Sequence, residues 1–196
     1  MSDGLIEQGD IAIRLMRDEP DDYRLMAQWL TDPRVLEFYE GRDNPFPLER
    51  VIAKYSPRAL GAEQVVPCIL LYQARPIGYM QYYRLDESDA REYGLESADS
   101  LYGIDLFIGE PDCWNRGVGS RAVSAFLTYL FHGLHATQVV LDPEAWNTRA
   151  IRCYEKCGFQ KIKYLPAHEL HEGIVRDAWL MAINGASWHD QTRNPL

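Results

Sequence analysis

Gly117-Val118-Gly119, in the string WNRGVGSR, lies between an apolar stretch and a run that places Val118, Ala122, Ala125, Phe126, Tyr129 and Leu130 at helical spacing. A glycine-rich turn that feeds a helix leaves several backbone N–H groups unpaired and converging, and the helix dipole favours negative charge at that end. The chemistry this suits is the seating of a phosphate. No Lys followed by Ser or Thr comes after the second glycine, as a P-loop requires, and Ala122 stands where a dinucleotide fingerprint has its third glycine. A tight turn that needs two glycines is the competing reading.

A second candidate is Asp105, in LYGIDLFIG, flanked by Ile104, Leu106, Phe107 and Ile108. An acid in an apolar strand is expensive unless it has a partner or a purpose. A carboxylate there can attract an ammonium group and take a proton from it, whereas a structural Asp paired with an Arg is the alternative. A third is NTRAIRCYEKCGF, from Asn147 to Phe159, a helix with Asn at its start and Gly158 at its stop. It carries Tyr154, which on periodicity alone reads equally as a core tyrosine. His168-Glu169-Leu170-His171-Glu172 has Glu where the HExxH pattern needs its second His, so no metal site is expected. Cys68, Cys113, Cys153 and Cys157 show no zinc-type pairing and read as reduced packing residues.

The elements that must hold these groups follow from periodicity. Ile11 to Met16 reads as the first strand, and Pro20 opens a helix whose apolar face is Leu25, Met26, Trp29 and Leu30. TDPRVLEFYEGRDNPFP reads as a short helix and loop, in which Phe38, Tyr39 and Phe46 beside Glu37, Glu40 and Asp43 form either a wall for a cation or plain packing. A helix over Leu48 to Leu60 comes next, then strands Gln64 to Tyr72 and Ile77 to Leu85 joined as a hairpin. Asp86 to Asp99, with six acidic residues against Arg91, reads as a solvated loop, or as an acidic lip that concentrates a polycation. Leu101 to Gly109 and Thr137 to Leu141 are further strands, and Gln160 to Leu165 and Val175 to Ile183 close the fold around the loop PAHELHEGI. The class is mixed α and β, α+β in its broad arrangement.

With 196 residues, 46% of them hydrophobic, one domain over residues 1–196 is expected. The 29 acidic residues outweigh 20 basic ones, giving a net charge of −9, which disfavours a nucleic-acid partner and favours a cationic ligand. MSDGLIEQGD has no signal-peptide pattern and no later run is apolar enough to span a bilayer, so a cytoplasmic place and no membrane partner are expected.

The glycine loop followed by N-x-x-A-x-x-x-Y-x-x-x-G-F, in that order with a strand between, resembles the GCN5-related N-acetyltransferases (GNAT). Trp114 stands where their R/Q-x-x-G-x-G/A loop has its first residue. The resemblance implies a central, mostly antiparallel mixed sheet of six to seven strands flanked by about four helices, and acetyl-CoA as co-substrate. The coenzyme's diphosphate would lie on Gly117, Val118 and Gly119, near Trp114, Arg116, Ser120 and Arg121. Phe107 and Ile108 would bind its amide groups through their backbone, Asn147 and Ala150 would line its pantetheine arm, and Tyr154 would protonate the departing thiolate.

LTDPRVLEFYEGRD, YGIDLFIGEPDCW, RGVGSR, LDPEAWNTRAIRCYEKCGF and LPAHELHEG narrow the likeness to aminoglycoside 6′-N-acetyltransferases, above all to the acetyltransferase half of the bifunctional enzyme that also carries a phosphotransferase domain. That implies acetylation of the 6′-amine of a kanamycin- or tobramycin-type drug, with Asp105 as general base and Asp142 on the drug's amines. Tyr39, Glu40, Glu169 and Glu172 would be further drug contacts, in a monomer or homodimer. An acetyltransferase for a polyamine, a siderophore or a protein N-terminus, and an idle coenzyme- or drug-binding module, are the alternatives.

Overall fold

A computed structural model describes residues 4–95 and 99–188. Two strands, β1 (Gly4–Gln8) and β2 (Ile11–Leu15), form an antiparallel hairpin. Next come α1 (Pro20–Trp29), α2 (Pro33–Leu36) and α3 (Leu48–Ala59). Proline stands in the first turn of both α1 and α2, where its missing N–H costs nothing, and Asp32 caps α2 through the N–H of Arg34. The hairpin β3 (Val66–Tyr72) and β4 (Arg75–Arg84) leads through α4 (Glu87–Tyr93) into β5 (Leu101–Ile108). A 3₁₀ turn at Pro111–Cys113 precedes α5 (Val118–Thr128), which runs on as a π-helical turn over Tyr129–Gly133. The chain closes with β6 (Gln138–Leu141), α6 (Thr148–Lys156), β7 (Gln160–His171) and β8 (Ile174–Asn184).

All strands join one sheet in the order β1-β2-β3-β4-β5-β6-β8-β7, and only the β5–β6 pair is parallel. The mixed α+β class and mostly antiparallel sheet are as expected, but the described residues carry eight strands and six α-helices rather than six to seven and about four. The additions have local causes. β1 is a short strand of mostly half-exposed residues, paired with β2 and packed on the core through Leu5 and Ile6. The segment read as the loop PAHELHEGI is mostly strand: β7 continues to His171 across a bulge between Leu165 and Glu169, and the turn is Glu172-Gly173. The acidic segment is a helix in its first half. Asp86 and Asp89 form a capping box there, and Gly94 ends the helix in the left-handed conformation at φ 74°. Glu96, Ser97 and Ala98 lie outside the described residues.

The two faces of the sheet carry separate cores. Trp29, Tyr55, Tyr79 and Phe107 are buried together on the side of α1 and α3, and Met80, Ile104, Val123 and Phe126 on the side of α5. By strand alternation Asp105 shares the face of Tyr79 and Phe107. Most consequential is where pairing stops. β5 meets β6 only over Leu101–Gly103, after which β5 runs on to Ile108 while β6 ends and the chain leaves through Pro143. Beyond Gly103, β5 therefore has β4 on one side and a gap on the other. Among the described residues no helix is long and apolar enough to cross a membrane.

Candidate active site

The gap beside β5 opens into a cleft of about 990 Å³. The Leu101 carbonyl accepts from the N–H of Leu85 and the Gly109 N–H donates to Ile77, so these peptide groups face β4. By alternation those of Ile104, Leu106 and Ile108 face the cleft. The expectation for Ile108 fits this alternation. Phe107 departs from it: its peptide faces β4 and its ring is buried against Trp29, Tyr39 and Tyr79. Leu106 takes the place assigned to it, which a strand without known register does not reveal.

At one end of the cleft stands the start of α5, whose first N–H groups have no helical acceptor. The glycines serve different needs. Gly117 is the N-cap at φ 73°, with open space where a Cβ would go. Gly119 has ordinary backbone, but a Cβ there would lie 3.3 Å from Cys153 Sγ, so the glycine sets how closely α5 approaches α6. Ser120 borders the cleft, its Oγ 3.4 Å from the same sulfur. The side chains of three other expected coenzyme contacts are turned elsewhere. Val118 is in the core, Arg116 donates to the Asp112 carbonyl, and Arg121 pairs with Asp10 at 2.5 Å. Trp114 borders the cleft through its ring, while its indole N–H is spent on the Ile108 carbonyl at 2.8 Å.

Beside α5 and packed against it, α6 presents Asn147, Ala150, Cys153 and Tyr154. The Asn147 side chain accepts from the Ala150 N–H at 3.1 Å, so it is first a helix cap. Tyr154 is buried at 8% exposure, and burial pushes its phenol well up from its ordinary value. It keeps its proton at any working pH and is thus a donor.

Asp105 lies half-buried in the floor, deep among tyrosine rings. Burial raises its carboxyl to about 6, and the negative charges of Asp142 and Glu169 add to that rise; the hydrogen bond from Gln81 and the charge of Arg58 act against it. A group in that range accepts a proton readily near neutrality. Asp142 accepts from the Tyr93 hydroxyl at 3.0 Å and lies 2.8 Å from His168 Nε2. Glu169 is raised by the burial of its carboxylate in the cleft mouth and by Glu144 and Asp142.

Two of the other expected acids are already engaged. Glu40 borders the cleft beside Tyr39 but pairs with Lys54. Glu172 is turned away to Arg42 at 2.6 Å, a pair that holds its carboxyl at about 2, and it does not reach the cleft. Sequence reading also missed two groups. Glu144, 3.2 Å from His171 Nδ1, adds an acid two residues beyond Asp142, where a Pro-directed turn gave no signal. Arg149 lies between Phe38 and Trp114, 4.4 and 4.1 Å from the ring centres, and Phe38 stacks on Trp146 at 5.2 Å. This ladder joins the α2 loop to α6 across the cleft. Among the described residues no group of His, Cys, Asp and Glu side chains is arranged to hold a metal ion.

A family model described as an acetyltransferase (GNAT) domain matches residues 18–166. The aminoglycoside N(6′)-acetyltransferase type 1 of Klebsiella pneumoniae is 32% identical over 151 residues, 77% of this chain and 74% of that protein. A solved structure of AAC(6′)-Ib in complex with ribostamycin and coenzyme A superposes with a TM-score of 0.74 at 27% identity, covering 95% of this chain and 99% of that one. Another, of AAC(6′)-Ib with paromomycin and acetyl-CoA, matches to the same extent. The family model spans most of the chain and the relative is similar over three quarters of it: the chain belongs to the acetyltransferase (GNAT) family.

Proposed function

We propose that this protein transfers the acetyl group of acetyl-CoA to the 6′-amine of aminoglycosides. The observation that carries the reading is one cleft with an amide-lined helix start and Tyr154 on one side and Asp105, Asp142, Glu144 and Glu169 on the other. The first half suits an anionic coenzyme, the second a polycation. The curated relative and the drug-bound structural neighbours support the same pairing.

The residues divide the work. The first amides of α5 bind the coenzyme's diphosphate, and the cleft-facing peptides of β5 bind its amide groups and polarise the thioester carbonyl. An alkylamine with a pKa of about 10 arrives as ammonium. Asp105 takes its proton, the freed lone pair forms the new N–C bond, and the C–S bond breaks with its electrons on sulfur. Tyr154 then supplies a proton to the thiolate and regains one from the nitrogen, which sheds its second proton as the amide forms. Asp142 and Glu169 hold further ammonium groups of the drug. One domain over residues 1–196, acting in the cytoplasm as monomer or homodimer, belongs to the same reading.

The test is CoA release with kanamycin, spermidine and a peptide panel as acceptors. Turnover of kanamycin is expected, and Asp105→Asn should lower it by about two to four orders of magnitude while acetyl-CoA still binds. Turnover of spermidine or a peptide alone would overturn the choice of acceptor. Release with none of them would leave a binding module.

A further inference from the structure

Gln81 is one of three polar or charged residues buried among the described ones, at 7% exposure. It stands on β4 directly opposite Asp105 on β5, on the same face of the sheet. Its Nε2 lies 2.5 Å from Asp105 Oδ2. Its Oε1 accepts from the Tyr79 hydroxyl at 2.7 Å and from Arg58 Nη1 at 3.0 Å. The guanidinium is in turn held by Glu63 at 2.9 Å. This arrangement fixes the amide: flipped, it would set N–H against the guanidinium N–H and oxygen against carboxylate. Asp105 Oδ1 takes no hydrogen bond from the described residues.

We propose that Gln81 is the positioning residue of the base: clamped by Tyr79 and Arg58, it holds Asp105 through Oδ2 and leaves Oδ1 for the substrate amine. The proposal rests on Asp105 being the base. A carboxylate bonded on one oxygen by a fixed donor cannot rotate, so its free lone pairs stay aimed at one point in the cleft. The donor also favours the charged form, offsetting the burial that raises Asp105. The other charges facing this carboxylate are Asp142 and Glu169, which oppose ionisation, and Arg58, which favours it. The phenols of Tyr39, Tyr83 and Tyr154 around it are held neutral by burial.

The test is the pH profile of kcat/KM for kanamycin in Gln81→Met, Arg58→Met and Asp105→Asn, with acetyl-CoA affinity measured alongside. Gln81→Met keeps the length and removes the donor. It should lower kcat/KM about ten- to a hundredfold at neutral pH and move the acid limb to higher pH by about one unit, acetyl-CoA affinity being unchanged. Arg58→Met should move the limb the same way by less, and this supplies the answer if Gln81→Met does not fold. An acid limb that stays in place in both variants overturns the proposal, whatever the loss of rate. If Asp105→Asn keeps its activity, the base itself is wrong; if it is inactive and the limb does not move, only the role of Gln81 falls.

Discussion

Asp105 answers two opposed demands, and its cost to the fold is measurable. Its folded-state value of about 6 lies above the ordinary 3.8, so the protonated form is the one the fold prefers. For an acid raised in this way, the stability contribution is full below pH 4, is lost as pH rises from about 4 to 6, and stays lost above. Asp105→Asn removes the charge and keeps an oxygen for Gln81. It should therefore be more stable than the native protein at pH 7–8 by about 1–3 kcal/mol, with the difference vanishing below pH 4. Urea unfolding at both pH values checks it, and equal stability at pH 8 would mean that the carboxylate is not desolvated. Asp105 and Tyr154 were legible because each breaks an apolar pattern or fills a spaced motif. Gln81 was not, since its meaning lies in the register that sets it opposite Asp105, and periodicity does not carry register. Glu172 misled for the mirror reason: an acid near the right loop, spent on Arg42, a residue 130 positions away.

Elements were read best where their own residues decide them. The β3–β4 hairpin, β5, α5 and α6 carry strong periodicity and their own stops. β1 and the far half of β7 are strands by virtue of their neighbours, exposed along much of their length, and local pattern gives little of that. The helix in the acidic segment did have a signal, Asp86 three residues before Asp89 and Gly94 behind, hidden by the charge run. The α5–α6 contact is where an element makes the site, and its two glycines give a contrast. In Gly119→Val the added carbons meet Cys153 Sγ at 3.3 Å and Ile108 Cδ1 at 3.6 Å, so α5 must back away from α6 at a cost of about 1–3 kcal/mol. In Gly117→Ala the space is open and the cost is left-handed strain of about 1–2 kcal/mol, with no shift of the helix. Both should lower the melting temperature, but acetyl-CoA affinity by calorimetry should fall far more in Gly119→Val. Equal losses would show that the amides do their work wherever α5 lies.

On the scale of the whole molecule the two co-substrates feel opposite fields. The chain carries a net charge of −9, and the cleft adds Asp105, Asp142, Glu144 and Glu169 within a concave, partly desolvated wall that focuses negative potential. A polycation is drawn toward that wall, whereas an anionic coenzyme is repelled by it and finds attraction at the start of α5 and at Arg149, Arg152 and Lys156 on α6. Screening separates the two. The Debye length falls from about 10 Å at 0.1 M salt to about 3 Å at 1 M, which cuts the long-range attraction and leaves close hydrogen bonds largely intact. KM for kanamycin should therefore rise severalfold between low and high sodium chloride, and KM for acetyl-CoA should stay level or fall. Initial rates with each co-substrate varied against a saturating partner give both numbers. A common direction for the two would mean that salt acts on the fold. A kanamycin KM that ignores salt would mean that the drug is held by short contacts alone, with the acidic balance of the chain serving solubility.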